Sequence, residues 1–236
     1  MRLAWRNIIH DRTRFSVAAL GIAFAVFLMV FQSSLLLGFI RAAGNVINSI
    51  DADIWITARG VTCFEFAAFV PERYRYIAEG VPGVIRTGRM SMAFAEYRMP
   101  SGAHQTVALI GTDVGVAGRF PLPHSPSSNV INPDAVVIDS SDAVLLEARS
   151  PPVDTEINGR RARVVAIVSG FSSFLGCPYV FTSYTDAALY SRLPIERSMY
   201  ILVKVAGNYR PEDVKLDLQK RLPDVDVRTK KQFANL

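Results

Sequence analysis

The side chains able to ligate a metal, or to act as nucleophile, acid or base, are few and scattered. His10, His104 and His124 are the only histidines, and no two stand at a spacing that aims both at one ion. Gly111, Gly115 and Gly118 supply the glycine of a dinucleotide loop without its spacing, and no long helix follows them. There is no Walker A lysine pattern and no Gly-x-Ser-x-Gly elbow, so neither a phosphate cradle nor a serine nucleophile is marked. Asp139, Asp142, Glu147 and Asp154 lie near turns and helix ends and are read as solvated carboxylates. These residues predict no enzyme, no cofactor and no metal site.

One unusual loop is apolar instead. Gly170-Phe-Ser-Ser-Phe-Leu-Gly176 sits between two expected strands and carries Phe171, Phe174 and Leu175. These three either contact a partner or a greasy substrate, or fold back to cap a core. Cys63 and Cys177 are the only cysteines. Outside the cytoplasm they meet an oxidising compartment, so a bridge is one reading and two buried free thiols the preferred other.

The element that must position everything else is Phe15 to Ile40, which holds no charged residue and is bracketed by Arg14 and Arg41. As a helix it reaches about 39 Å, enough to cross a hydrocarbon core of about 30 Å. Arg2, Arg6, Arg12 and Arg14 precede it against one acid, Asp11. Positive-inside bias therefore predicts a cytoplasmic N-terminus and an extracytoplasmic remainder. The run is longer than a signal-peptide core, and an uncleaved anchor is expected. The net charge of +5 is concentrated at this end, and no basic stripe with interleaved aromatics suggests nucleic acid. Ala4, Trp5, Ile8 and Ile9 share one helical face. This predicts an interfacial helix over 1–14, with Trp5, Arg12, Arg14 and Arg41 at the membrane–water interface; a disordered basic tail is the alternative. Gln32, Ser33 and Ser34, with the small pair Gly21 and Ala25, hint at neighbouring membrane helices.

Beyond Ala43 the pattern is that of a mixed α+β domain. Ile54-Trp-Ile56 reads as a strand, and Pro71-Glu72 opens a helix that Gly80 closes. Val84–Tyr97 is extended, and Pro100-Ser-Gly102 is a hairpin tip leading to Gln105–Ile110. Residues 111–132 read as loop. Ala135–Ile138 reads as a buried strand, and Ser141–Ala148 as a short helix. Asn158-Gly159 is a two-residue hairpin turn. Tyr200–Val205, a helix opened by Pro211, and Val225–Thr229 repeat the earlier strand–helix–strand logic. The expectation is a split β-α-β domain, 44–110 with 180–236, carrying a mostly-β insertion over 111–179. The whole would be membrane helix 15–43 followed by an extracytoplasmic domain 44–236.

Leu3-Ala-Trp-Arg-Asn-Ile-Ile9, the arginine pair, the spanning helix and Asp51-Ala-Asp-Ile-Trp55 resemble the start of MacB-type ABC transporter permeases. Val81-Pro-Gly-Val84 is similar to the turn ending that family's first extracytoplasmic helix. Ala135-Val-Val-Ile-Asp139 and Glu156-Ile-Asn-Gly-Arg-Arg-Ala-Arg-Val-Val165 resemble its inserted subdomain. Gly170-Phe-Ser-Ser-Phe174 to Pro178-Tyr-Val-Phe-Thr-Ser183 is most similar to the DevC branch, named for a glycolipid exporter of cyanobacteria. The order of these segments, more than any one, carries the resemblance, which covers nearly the whole chain.

The resemblance implies a permease subunit with four spanning helices, the outer domain lying between the first and second. Arg228 to Leu236 falls where the second should begin, so a fragment or truncated product is expected. It implies a homodimer in a bacterial inner membrane, with a separate ABC ATPase beneath and a periplasmic adaptor and an outer-membrane duct beyond. Such a machine exports or releases a lipid-like or small-molecule substrate, and this chain hydrolyses nothing itself. Cys63 and Cys177 are not part of that family's pattern. The alternative is a single-pass, membrane-anchored sensor or ligand-binding domain, against which a tail of 14 residues is too short for an output module.

Overall fold

A computed structural model of the chain describes residues 12–125, 128–171, 173, 176–194 and 196–234. It divides into two units, Met1–Arg41 and Ala42–Leu236. The first is the body of helix α1 (Arg12–Ser49). Its stretch Thr13–Gly38 is long and apolar enough to cross a membrane, and every side chain of that stretch is exposed, as in a helix whose solvent is lipid. The Ser33 hydroxyl donates to the Met29 carbonyl at 2.8 Å. This polar group is thus satisfied within its own helix and needs no neighbouring one.

The second unit begins with the last turns of α1. It continues through β1 (Ile54–Ala58), β2 (Val70–Pro71), α2 (Arg73–Glu79), β3 (Val84–Arg98), β4 (His104–Thr112) and α3 (Val114–Ala117). Next come β5 (His124–Ser125), β6 (Ser128–Ile131), β7 (Ala135–Asp139), β8 (Val153–Ile157), β9 (Arg160–Val168), β10 (Tyr179–Ser183) and α4 (Tyr184–Ser191). It ends with β11 (Arg197–Ser198), β12 (Tyr200–Val205), α5 (Pro211–Arg221), β13 (Val225–Thr229) and α6 (Lys230–Ala234).

Nine strands form one sheet in the order β13-β1-β12-β3-β4-β10-β7-β9-β8. The first four are antiparallel neighbours joined through α2 and α5, which is the β-α-β-β-α-β split arrangement. Period-2 alternation explains their apolar runs. Ile54 and Ile56 join Val203, Val214 and Leu218 in one cluster. Trp55 turns to the opposite face, among Tyr200, Leu202 and Phe233. Both faces are covered, so β1 reads as continuously buried.

The fifteen-residue β3 passes from this sheet into a second layer. Its N-terminal part pairs with β12 and its C-terminal part with β4. Tyr97 and Arg98 also pair with β8, so the sequence of neighbours β3-β4-β10-β7-β9-β8 returns to β3 as a closed ring. Leu109, Ile138, Ile157, Val164 and Val180 form its cluster with Ala187 and Tyr190 of α4. The Asn158-Gly159 turn takes positive φ at both positions, 49° and 73°, as a two-residue hairpin requires.

Four local expectations change. Residues 111–132, read as loop, hold α3, β5 and β6. The helix expected from Pro71 starts at Arg73, because Pro71 is held in β2 against Arg197. Ser141–Ala148 is a run of turns: Leu146 N–H bonds Asp142 O but Ala148 N–H reaches back to Ala143 O, so no regular i−4 ladder forms. Helix α4 was not expected. Its signal was local, since the Ser183 hydroxyl accepts the Asp186 N–H as an N-cap.

Candidate functional site

The most elaborated place in the second unit is where α1 ends. Val46, Ile47 and Ile50 are buried there, one helical face that the sequence placed simply after the span. They join a cluster around Trp55, whose ring stacks on Phe233 at 4.8 Å and meets Tyr200 edge-on at 5.5 Å. Phe64 stacks on Tyr200 at 5.4 Å. The Tyr200 hydroxyl donates to the Phe64 carbonyl, and burial pushes that phenol well above its ordinary pKa.

A helix end leaves carbonyls without intrahelical donors, and here the last two, with the Ile50 carbonyl just beyond, find donors from distant segments. Arg119 N–H donates to Ser49 O at 2.8 Å. The Lys230 ammonium donates to Asn48 O at 3.0 Å and Ile50 O at 2.6 Å. Asp51 N–H returns a bond to Val116 O at 2.9 Å. This close wrap needs Gly118, which has φ +60°; a Cβ there would lie 2.7 Å from Asp51 N and 2.8 Å from Ser49 O. Gly118 is therefore a packing glycine in this collar.

Charge fixes the chain on leaving the collar. The Lys204 ammonium lies 2.7 Å from Asp51 and 3.4 Å from Asp53, and Arg86 lies 3.1 Å from Asp51. The Lys204 hydrogen bond, aided by the charges of Lys204, Arg86 and Lys230 and opposed by burial, holds the Asp51 carboxyl below its ordinary range. The same bond raises Lys204. Among the described residues no carboxylate is bonded to Lys230, and burial lowers its pKa. Asp53 accepts Val205 N–H at 2.9 Å, and its carbonyl accepts Lys230 N–H at 2.8 Å. The end of α1, the starts of β1 and α6 and the end of β12 are thus tied at one point. Nothing in the set is arranged as nucleophile, base or ligand; what it can do is hold.

The residues singled out in the sequence fall elsewhere. Phe171 lies half-buried against the core, edge-on to Phe181 at 5.3 Å, with its N–H donating to Asp139 at 2.8 Å. Phe174, Leu175, Trp5 and His10 lie outside the described residues, as do the side chains of Arg12, Arg41 and His124. Arg14 is exposed on α1. His104 pairs with Glu96 at 2.9 Å on the surface. Among the described residues no group of three His, Cys, Asp or Glu side chains gathers as a metal site. Cys63 and Cys177 are free and half-buried.

Asp139 corrects an expectation. It is 2% exposed, and besides Phe171 it accepts Ser141 N–H at 2.9 Å and Ser141 O–H at 2.8 Å. The strand β7 is buried through its last residue, so this carboxylate stays inside and pins the start of the aromatic loop. Burial, then the Asp139 charge, raises the neighbouring Asp142. Glu65 was passed over. It is buried, accepting the Tyr179 hydroxyl at 2.5 Å and the Ser173 hydroxyl at 3.2 Å; a lone acid between two phenylalanines gave only a weak cue.

An apolar helix followed in the chain by a ferredoxin-like sheet with a closed β lobe defines the fold class. The chain belongs to the MacB-like periplasmic core domain family, whose sequence profile matches residues 15–221. That places it among the periplasmic domains of ABC-type transporter permeases. Its fold is similar to the periplasmic region of MacB from Actinobacillus actinomycetemcomitans, at 13% identity, TM-score 0.55, over 81% of this chain and 95% of that one. It is also similar to the extracellular domain of YknZ, a noncanonic ABC-type transporter from Gram-positive bacteria, at 12% identity, TM-score 0.52, over 75% and 98%. No curated protein matches the chain by sequence.

Proposed function

We infer that the chain serves in an export permease whose outer domain is moved by its first membrane helix, with ATP hydrolysed on a partner subunit. The observation that supports this most is the collar: the last turn of α1 has its Asn48 and Ser49 carbonyls bonded by Lys230 and Arg119. A domain that had only to be tethered would not need it. In this reading the N-terminus is cytoplasmic, the domain lies in the periplasm above the inner membrane, and two copies work as a pair. A periplasmic adaptor, an outer-membrane duct and a lipid-like or small-molecule cargo belong to the same proposal, as does the DevC-like placement suggested by Gly170 to Ser183.

The test has two stages. An ABC ATPase co-expressed with the tagged product of the full gene should be captured with it from detergent extracts. Spin labels at position 101, on the exposed tip between β3 and β4, should then report an ATP-dependent change in distance between copies. Inserting Gly-Gly after Gly44 should leave capture intact and abolish that change. Failure to capture an ATPase, or an unchanged ATP response in the insertion variant, refutes the reading.

A further inference from the structure

Away from the collar, a cavity of about 280 Å³ opens between β3, the end of α4 and the tip of the β8–β9 hairpin. Arg89, Arg160 and Arg192 line it together with Tyr184, Leu189 and Leu193, and among the described residues no acidic side chain does. Arg89 is the fixed member. Its guanidinium grips Asp113 through two bonds, at 2.9 and 3.0 Å, and lies 4.1 Å over the Tyr184 ring. Arg160 and Arg192 are exposed, and neither makes an ion pair or a side-chain hydrogen bond among the described residues.

Their convergence is built rather than incidental. The Asn158 side chain donates to Tyr190 O at 3.0 Å and accepts Glu96 N–H at 2.8 Å. It thereby clips the hairpin tip carrying Arg160 onto the end of α4. Arg192 closes α4 at φ +53°, a conformation usually given to glycine. A cation there complements the helix dipole, yet among the described residues its guanidinium bonds no helix carbonyl. The strain is in the backbone, whose N–H caps α4 at Ala188 O, and the side chain takes no part in the cap.

We propose that this cavity binds an anionic headgroup, phosphate or carboxylate, carried on a short apolar body. Two uncommitted guanidiniums match the planar, multi-oxygen geometry of such groups. Leu189, Leu193 and the Tyr184 ring receive the carbons. At about 280 Å³ the cavity lies just below the range of ligand pockets, which run from about 300 to 1,000 Å³, so a headgroup and a few carbons fill it. The site stands whether or not the chain works with an ATPase.

The test uses the whole chain in phosphatidylcholine nanodiscs, titrated calorimetrically against empty nanodiscs. Four probes are used: hexyl phosphate, hexanoate, inorganic phosphate and hexyltrimethylammonium. Hexyl phosphate or hexanoate should bind saturably, and more tightly than either inorganic phosphate or the cation. Which of the two anions binds better decides between the phosphate and carboxylate sources. Arg160→Gln with Arg192→Gln should weaken binding at least tenfold. Arg192→Gly separates structure from binding: relieving the positive φ should raise the melting temperature while affinity falls. Equal binding of the cation, equal binding of inorganic phosphate, or unchanged affinity in the double variant overturns the proposal.

Discussion

Lys230→Met is the sharpest probe of the collar. Methionine keeps the apolar stem and removes the ammonium, leaving Asn48 O and Ile50 O without the donor now 3.0 and 2.6 Å away. Hydrogen bonds to a charged donor contribute about 1.5–3 kcal/mol each. Lys230 is half-buried, so water replaces part of the loss, and the variant should cost about 2–3 kcal/mol in total. For a unit of this size that is roughly 4–12 °C in melting temperature. The assay is thermal unfolding of the whole chain in micelles, followed by near-ultraviolet circular dichroism, which reads the Trp55, Tyr200 and Phe233 cluster packed beside the collar. Lys231→Met removes the same charge from an exposed neighbour and should stay within about 0.5 kcal/mol of wild type. Equal shifts in the two variants would mean that net charge, not capping of α1, explains the loss, and the collar argument would fail.

Gly118→Ala should be still more disruptive, about 2–4 kcal/mol, because it adds backbone strain to the collision with Asp51 N and Ser49 O; a melting temperature equal to wild type would show that the wrap is loose. Asp139→Asn turns an amide N–H₂ or a single oxygen toward donors that now share two; a loss of about 2 kcal/mol is expected, with faster proteolysis confined to 170–177. Asp51 titrates below its ordinary value in the fold. A depressed folded pKa means its contribution is complete above the unfolded value of about 3.9 and is lost as pH falls through the lower folded one. Asp51→Asn should therefore flatten the stability–pH curve below about pH 4; an unchanged acid limb would dissociate Asp51 from acid unfolding.

The elements that could be read from the chain were those with local signatures. Asn158-Gly159, Pro211 with its acids, and the uncharged run after Arg14 each fix a structure from a few adjacent residues, and the split sheet followed from their order. What could not be read depends on distant partners. Asp139 looks like any acid after a strand; only the return of Phe171 from 32 residues away makes it a buried anchor. Lys230 sits in a basic tail, and nothing near it in sequence announces that its targets are Asn48 and Ile50. The collar is thus invisible to periodicity, since it is made of backbone carbonyls from one end of the chain and a side chain from the other.

The same logic explains how the sheet ends. A nine-stranded sheet has two edges, each a row of unpaired groups open to another strand. One edge, β8, is closed by its return to β3. The other, β13, is met by side chains. Gln219 of α5 accepts Val227 N–H at 3.0 Å and donates to Val225 O at 2.9 Å, and Gln232 of α6 accepts Thr229 N–H at 3.2 Å. Two amides thus stand where a tenth strand would lie, using the same donor and acceptor pattern as a peptide. Strand addition at β13 would have to displace both before gaining its first ladder bond.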